Sequence, residues 1–137
     1  MNRRLPIGIQ DFPKIREGGY HYVDKTASIH RIINSSGTAF FLSRPRRFGK
    51  SLLCSTLGAI FEGRRELFTE IAGYPPLTID SLEWGWKKFP VIMLDLNPGN
   101  YAEGINELHI TLKRELEFCA QKYCVAFSGK NISDNFA

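Results

Sequence analysis

The chain has 137 residues, of which 43% are hydrophobic and 23% charged, and its formal net charge is +4. This composition is typical of a folded globular domain or part of one, and it excludes an intrinsically disordered chain. No apolar run approaches the ~20 residues that a membrane span needs, and the N-terminus lacks the apolar core of a signal peptide. We therefore expect a cytoplasmic protein with no membrane partner.

Residues 1–37 predict an irregular lead-in, a short strand and a helix. Proline and glycine punctuate the first part, and Tyr20–Val23 has the composition of a short strand. Asp24 is a suitable N-cap for a helix that runs to about Asn34, and the helix is expected to end before Gly37.

The next unit, residues 38–61, predicts a buried strand over Thr38–Leu42, a basic loop, and a helix over Ser51–Phe61. The loop ends in Gly49-Lys50-Ser51, which is the order of parts in a phosphate-binding P-loop. In such a loop the lysine reaches the β- and γ-phosphates, the glycine lets the backbone approach, and the serine hydroxyl binds Mg²⁺. The pattern predicts ATP as ligand and Mg²⁺ as its metal, with a catalytic role for Lys50.

The loop departs from the full Walker A pattern at its first position. Glycine is expected five residues before Gly49, but the chain has Arg44 there, and the following Pro45 contributes no N–H. Guanidinium groups suit phosphate oxygens, so that Arg46 and Arg47 can replace this donor. The predicted nucleotide-binding residues are Arg44, Pro45, Arg46, Arg47, Phe48, Gly49, Lys50, Ser51 and Leu52. Within this set, Phe48 is expected to pack beneath the loop.

The distribution of charge agrees with an anion at this loop. From Lys25 to Ile60 the chain has no Asp or Glu. It has six cations in the same stretch: Lys25, Arg31, Arg44, Arg46, Arg47 and Lys50. An anionic ligand balances such a cluster. The alternative is a solvated basic loop with no ligand.

Residues 89–126 predict a second strand and a long helix, after short helical pieces within Glu66–Ile71 and Asp80–Lys88. Phe89–Leu96 is the predicted strand, and its Val91–Leu94 part is continuously apolar, as parallel strands covered on both faces tend to be. Between residues 102 and 125, apolar side chains recur every three or four positions, which indicates an amphipathic helix. They are Ile105, Leu108, Leu112, Leu116, Cys119 and Tyr123.

Two strands, each followed by a helix, predict an α/β fold. The expected architecture is a partial P-loop NTPase of the three-layer α/β/α type, with a mostly parallel sheet.

Asp95 follows the apolar run of the second predicted strand and is a candidate Mg²⁺ ligand. Val91-Ile92-Met93-Leu94-Asp95 has the form of a Walker B strand, in which apolar residues lead to an acid. The alternative is an intervening strand in which Asp95 makes turn hydrogen bonds. The lack of a Glu directly after Asp95 favours that alternative.

Four sequence blocks resemble the predicted AAA-ATPase-like family of bacteria: Leu5–Phe12, Ile15–Tyr20, Tyr22–Thr26 and Arg44–Leu52. The resemblance extends to about Leu96. It implies an AAA-like ATPase in which the first Walker glycine is also replaced. The acidic Asp-Glu pair and the C-terminal restriction-nuclease-like domain of that family are not visible here. We therefore expect the chain to be the N-terminal part of one P-loop domain, with the missing C-terminal region of the same protein as a partner.

The resemblance also bears on residues before the loop. In AAA-type proteins the segment before the P-loop often lines the adenine pocket, which makes Ile7, Gly8, Phe12 and Tyr22 candidates for contact with the base. Core packing is the alternative role for these four residues.

Three functions remain open from the sequence. ATP binding leads, because the cations are concentrated at one loop. One alternative is a nucleic-acid-binding fragment that uses this loop and Arg64-Arg65, and the whole protein could also bind nucleic acid. The other alternative is a structural domain with a vestigial P-loop. Because no Asp-Glu pair occurs, we expect the chain alone to bind nucleotide weakly and hydrolyse it poorly, and unpaired strand edges to favour self-association.

Overall fold

The computed structural model of the chain describes residues 4–43, 45, 47–94 and 105–125. The chain divides into two compact units, Met1–Phe89 and Pro90–Ala137. The helices of the described residues are α1 Phe12–Glu17, α2 Thr26–Ile33, α3 Lys50–Phe61 and α4 Ile105–Lys122, with two 3-10 helices at Arg65–Leu67 and Thr78–Ser81.

Helix α1 lies in the segment that the sequence predicted to be irregular, and that prediction was wrong. Asp11 caps it, with Oδ1 accepting a hydrogen bond from the Lys14 amide at 2.9 Å, and Pro13 occupies its first turn. Both are ordinary signals of a helix N-terminus. The helix is only six residues long, and it is held by burying Phe12, Ile15 and Arg16.

The three longer helices were predicted correctly. α2 and α3 fall where helices were expected, and α3 begins one residue earlier, at Lys50. In α4, the described part of the predicted long helix, Leu116 and Cys119 are buried as expected. Ile105 is 68% exposed, so the predicted apolar stripe is not buried at its first position.

The predicted three-layer α/β/α fold with a mostly parallel sheet is contradicted. The described residues contain no strand, and their bridges are isolated: Arg4 with Tyr20, and Ile71 with Tyr74. A strand is stabilised by a neighbour that accepts and donates its backbone hydrogen bonds, and neither residues 38–42 nor residues 89–94 form such a ladder. Phe41 is 94% exposed, so the strand predicted there is not buried either. Self-association, which was predicted from the unpaired edges of that sheet, stays a prediction.

The core of the first unit joins α1, α2, α3 and both 3-10 helices. Phe12 is fully buried, and its ring centroid lies 4.8 Å from that of Phe68 and 5.1 Å from that of Tyr22. The ring centroid of Trp86 lies 5.0 Å from that of Phe68, with the two ring planes tilted by 48°. Aromatic pairs at such distances contribute beyond the area that they bury.

Arg16 is a buried cation at the centre of this unit, with 3% of its surface exposed. Its Nε donates to Leu67 O at 2.7 Å, and its Nη2 donates to Thr69 O at 2.8 Å and to Pro75 O at 3.4 Å. The guanidinium group of Arg16 therefore links α1 to the end of the first 3-10 helix and to the segment that follows it. These are charge-assisted hydrogen bonds, which are stronger than neutral ones.

Asp24 fastens the start of α2 to the second 3-10 helix. Its Oδ1 accepts from the amide and hydroxyl of Thr26, and its Oδ2 accepts from the amide and hydroxyl of Thr78, at 2.7 to 2.8 Å. The Thr26 hydroxyl in turn accepts from the Ile79 amide at 3.0 Å. The prediction that Asp24 is the N-cap of α2 was wrong by one residue: the N-cap is Lys25, whose side chain makes no capping hydrogen bond, and Asp24 binds the amide of the first helical residue, Thr26.

We predict that Arg16→Lys lowers the free energy of unfolding by about 2 kcal/mol. The single nitrogen of a lysine ammonium cannot occupy the positions of both Nε and Nη2, which together bind three carbonyls in the planar guanidinium. Urea denaturation followed by circular dichroism measures the change. Arg65→Lys is the matched control, since Arg65 is exposed and makes a single contact with Asp80 at 2.8 Å. Its expected change is under about 0.5 kcal/mol. Equal losses in the two variants would contradict the role given to Arg16.

We predict that stability falls in acid because of Asp24. Burial would raise the pKa of this carboxyl, but the hydrogen bonds from Thr26 and Thr78 outweigh burial and hold the pKa below its usual value. A lowered pKa in the folded state stabilises the protein above the unfolded value of ~3.9, and this stabilisation is lost as the pH falls through the folded pKa.

Asp24→Asn should therefore flatten the pH dependence of the urea midpoint between about pH 2 and 6. Asp11→Asn, which replaces one N-cap residue by another, is the control and should keep the wild-type urea midpoint at neutral pH. An unchanged slope in Asp24→Asn would refute the assignment.

Candidate functional site

The N-terminus of α3 has features that favour the binding of an anion. Gly49 is its N-cap in a left-handed conformation, with φ +77°, and no side chain caps the helix. The first helical hydrogen bond runs from the Leu53 amide to Gly49 O at 3.0 Å, so the helix does not use the preceding amides of Ser51 and Leu52. Such amides and the helix dipole favour negative charge.

A cavity of about 700 Å³ opens at this helix start, and we call it the loop cavity. One wall is formed by residues 47 and 49–52, and the other by residues 6–10, which we call the strap. Arg47 and Lys50 bring two positive charges to the cavity, and Ser51 brings a hydroxyl. No acidic side chain lines it among the described residues.

A second cavity of about 460 Å³ adjoins the loop cavity, and we call it the apolar cavity. Pro6, Gly49 and Leu52 line both cavities. The walls of the apolar cavity are mainly aliphatic and aromatic, with contributions from Val23, Ile29, Ile32, Leu42, Phe48 and Leu53. Binding sites for small molecules have this size range and this mixture of apolar walls with a few polar groups.

Tyr22 and Thr56 connect the apolar cavity to α3. The Tyr22 hydroxyl lies 3.4 Å from Thr56 Oγ1, and Thr56 Oγ1 donates to Leu52 O at 2.8 Å, so that the tyrosine is the donor of the pair. Burial raises the pKa of Tyr22, which keeps the phenol protonated. The pair fixes the wall of the apolar cavity against the first turns of α3.

The strap is tied to the first unit at both ends. On one side, Arg4 O accepts from the His21 amide at 2.8 Å. On the other side, the Phe12 amide donates to Ser55 Oγ on α3 at 2.9 Å. Between these ties, Gly8 adopts φ +76°, a conformation that favours glycine and lets the strap turn.

The structure places five of the predicted binding residues together: Arg47, Gly49, Lys50, Ser51 and Leu52 all line the loop cavity. Lys50 Nζ donates to the carbonyl of Pro45 at 3.3 Å, so the lysine closes over the loop. Arg44, Arg46 and Asp95 lie outside the described residues, and their predicted roles stay predictions.

Phe48 differs from its expected place, and Arg47 has an uncommon backbone conformation. Phe48 is 65% exposed and lines the apolar cavity, so the prediction that it packs beneath the loop was wrong. Arg47 adopts φ +67°, which is uncommon for a residue with a side chain. A loop residue held in this conformation costs on the order of 1 kcal/mol, and such strain is often found at functional sites.

Of the four residues singled out before the loop, Phe12 is core, while Ile7 and Gly8 line the loop cavity. Tyr22 packs against the core and also lines the apolar cavity. Sequence reasoning missed Pro6 and Gln10, which line the loop cavity from the strap. No local sequence pattern identifies these two residues as lining a cavity, because their position depends on the hydrogen bond between the Phe12 amide and Ser55 Oγ.

A comparison with known proteins identifies the family of the chain. The model of the family described as predicted AAA-ATPase matches residues 6–137. The chain belongs to this family, and the membership supports an ATPase-like role in general. No solved structure matches the chain.

One relative is an uncharacterized protein in the vnfD 5' region of Azotobacter chroococcum mcd 1, which is 44% identical over 99 residues. The match covers 71% of this chain and 18% of the relative. In the described part of this chain, no helix has the length and apolar character to cross a membrane.

We predict that Gly49→Ala destabilises the protein by about 1 kcal/mol. A Cβ at Gly49 would meet no atom within 4 Å, so the cost comes from the left-handed backbone and not from a clash. Gly85→Ala is the matched control, because Gly85 has no positive φ and its nearest contact is an ordinary 3.9 Å. Thermal unfolding of both variants tests the prediction, and equal midpoints would contradict it.

Proposed function

We propose that the chain binds ATP together with Mg²⁺ at the loop cavity. The observation that carries the proposal is the helix start at Gly49-Lys50-Ser51, which opens onto a cavity with two cations and no described acid. The phosphates would lie against the amides of α3 and the Lys50 ammonium. The Ser51 hydroxyl would bind Mg²⁺, in agreement with the preference of that ion for oxygen ligands and phosphates.

The apolar cavity supports a nucleotide over a bare anion. It adjoins the loop cavity at Pro6, Gly49 and Leu52, and its walls suit a planar base. A ligand with a charged end and an apolar end would therefore occupy both cavities. A nucleic acid contacts a longer basic surface, whereas the described cations of the two cavities are Arg47 and Lys50 at the loop cavity and Lys25 at the apolar cavity.

For the whole protein we propose ATP hydrolysis, in line with the family to which the chain belongs. Hydrolysis needs an acid that secures Mg²⁺ and a group that orients the attacking water. The candidate acid in this chain is Asp95, which no Glu follows. We accordingly expect the 137-residue chain to bind nucleotide weakly and to release phosphate slowly or not at all.

The test is the affinity for ATP in the presence of Mg²⁺, measured by calorimetric titration. Lys50→Ala should weaken binding about tenfold or more, because it deletes a charged donor to the phosphates. Arg31→Ala is the matched control, since Arg31 belongs to the same basic stretch but lines neither cavity. It should bind ATP like the wild type.

Three results would contradict the proposal. Unchanged affinity in a folded Lys50→Ala variant would remove the P-loop assignment. Equal losses in the Lys50 and Arg31 variants would indicate general charge attraction. Binding of a single-stranded oligonucleotide without binding of ATP would favour the nucleic-acid alternative.

A further inference from the structure

Gln10 is the polar side chain that the strap brings to the loop cavity. The other strap residues there are Pro6, Ile7, Gly8 and Ile9, which offer no polar side chain. Gln10 lines the same cavity as Arg47, Lys50 and Ser51. Within the described part of the chain, its side-chain amide makes no hydrogen bond.

The position of Gln10 is fixed by the residues that follow it. Asp11 caps α1, and Phe12 is fully buried with its amide bound to Ser55 Oγ at 2.9 Å. Ser55 lies on α3 about one helical turn after Ser51. Gln10 is thus two residues from an anchor on the helix whose start forms the opposite wall of the cavity.

We propose that Gln10 is a further binding residue, whose Nε2 donates a hydrogen bond to a phosphate oxygen of the nucleotide. This inference rests on the proposed function of the loop cavity. Phosphate oxygens only accept hydrogen bonds, and the amide of glutamine has two N–H donors. Pro45 supplies no N–H to the loop, so a donor from the strap compensates for the one that the loop lacks.

Two substitutions separate a donor to phosphate from other roles. Gln10→Ala removes the donor and should weaken ATP binding about tenfold, the lower end of the range for a hydrogen bond to a charged group. Gln10→Glu keeps the size but replaces the donor by a negative charge. Gln10→Glu should lower the affinity for ATP more than Gln10→Ala does. Its effect should increase from AMP to ADP to ATP, because the negative charge that the new carboxylate repels grows with each phosphate.

The affinities are measured by displacement of a fluorescent ATP analogue with AMP, ADP and ATP in Mg²⁺. Gln121→Ala is the matched control, because Gln121 is an exposed amide on α4 in the other unit. It should leave all three affinities unchanged. Circular dichroism verifies that each variant is folded. We expect the Gln10 variants to fold, because Gln10 is exposed.

The outcomes distinguish this inference from the proposed function. If Lys50→Ala weakens ATP binding but both Gln10 variants bind like the wild type, the role of Gln10 is refuted and the proposed function stands. An effect of Gln10→Glu that is equal for AMP and ATP would also refute contact with the phosphates. Absence of ATP binding by the wild type, or binding insensitive to Lys50→Ala, would refute both.

Discussion

The contact between Phe12 and α3 determines the shape of the candidate site. The ring of Phe12 is fully buried against Phe68 and Tyr22, and its amide donates to Ser55 Oγ. One residue therefore fixes α1 both to the core and to the helix that begins at Lys50. The strap, which ends where α1 begins, is held opposite the start of α3, and the space between them is the loop cavity.

In the described residues, the first unit is held by side chains that bind the backbone of distant segments, without a sheet. Arg16 donates to three carbonyls between Leu67 and Pro75, and the Asp24 carboxylate joins the start of α2 to Thr78. Buried polar groups of this kind stabilise the fold only when their partners are all present. The unit consequently combines a small aromatic core with a few polar contacts that admit little variation in geometry.

The three longer helices could be predicted from the sequence because their signals are local, whereas the six-residue α1 was missed despite its Asp11 cap. Apolar periodicity located α4, and the glycine before Lys50 located the start of α3. The sheet was predicted wrongly because an apolar run such as Val91–Leu94 indicates a preference for burial and does not identify a pairing partner, which a ladder needs. In the strap, the resemblance singled out Ile7 and Gly8, but the position of Gln10 could not be predicted. Gln10 reaches the loop cavity through a hydrogen bond between residues 12 and 55, which no pattern within ten residues encodes.

The left-handed backbone of Arg47 has a consequence for how this loop can vary. Glycine at this position would relieve the strain of φ +67°, and it would also remove one of the two cations that line the loop cavity. Under the proposed function, stability and the binding of an anionic ligand thus favour different residues at the same position. A sequence that keeps arginine here tolerates a less stable loop in exchange for charge, which is a trade-off known from binding and catalytic sites in general.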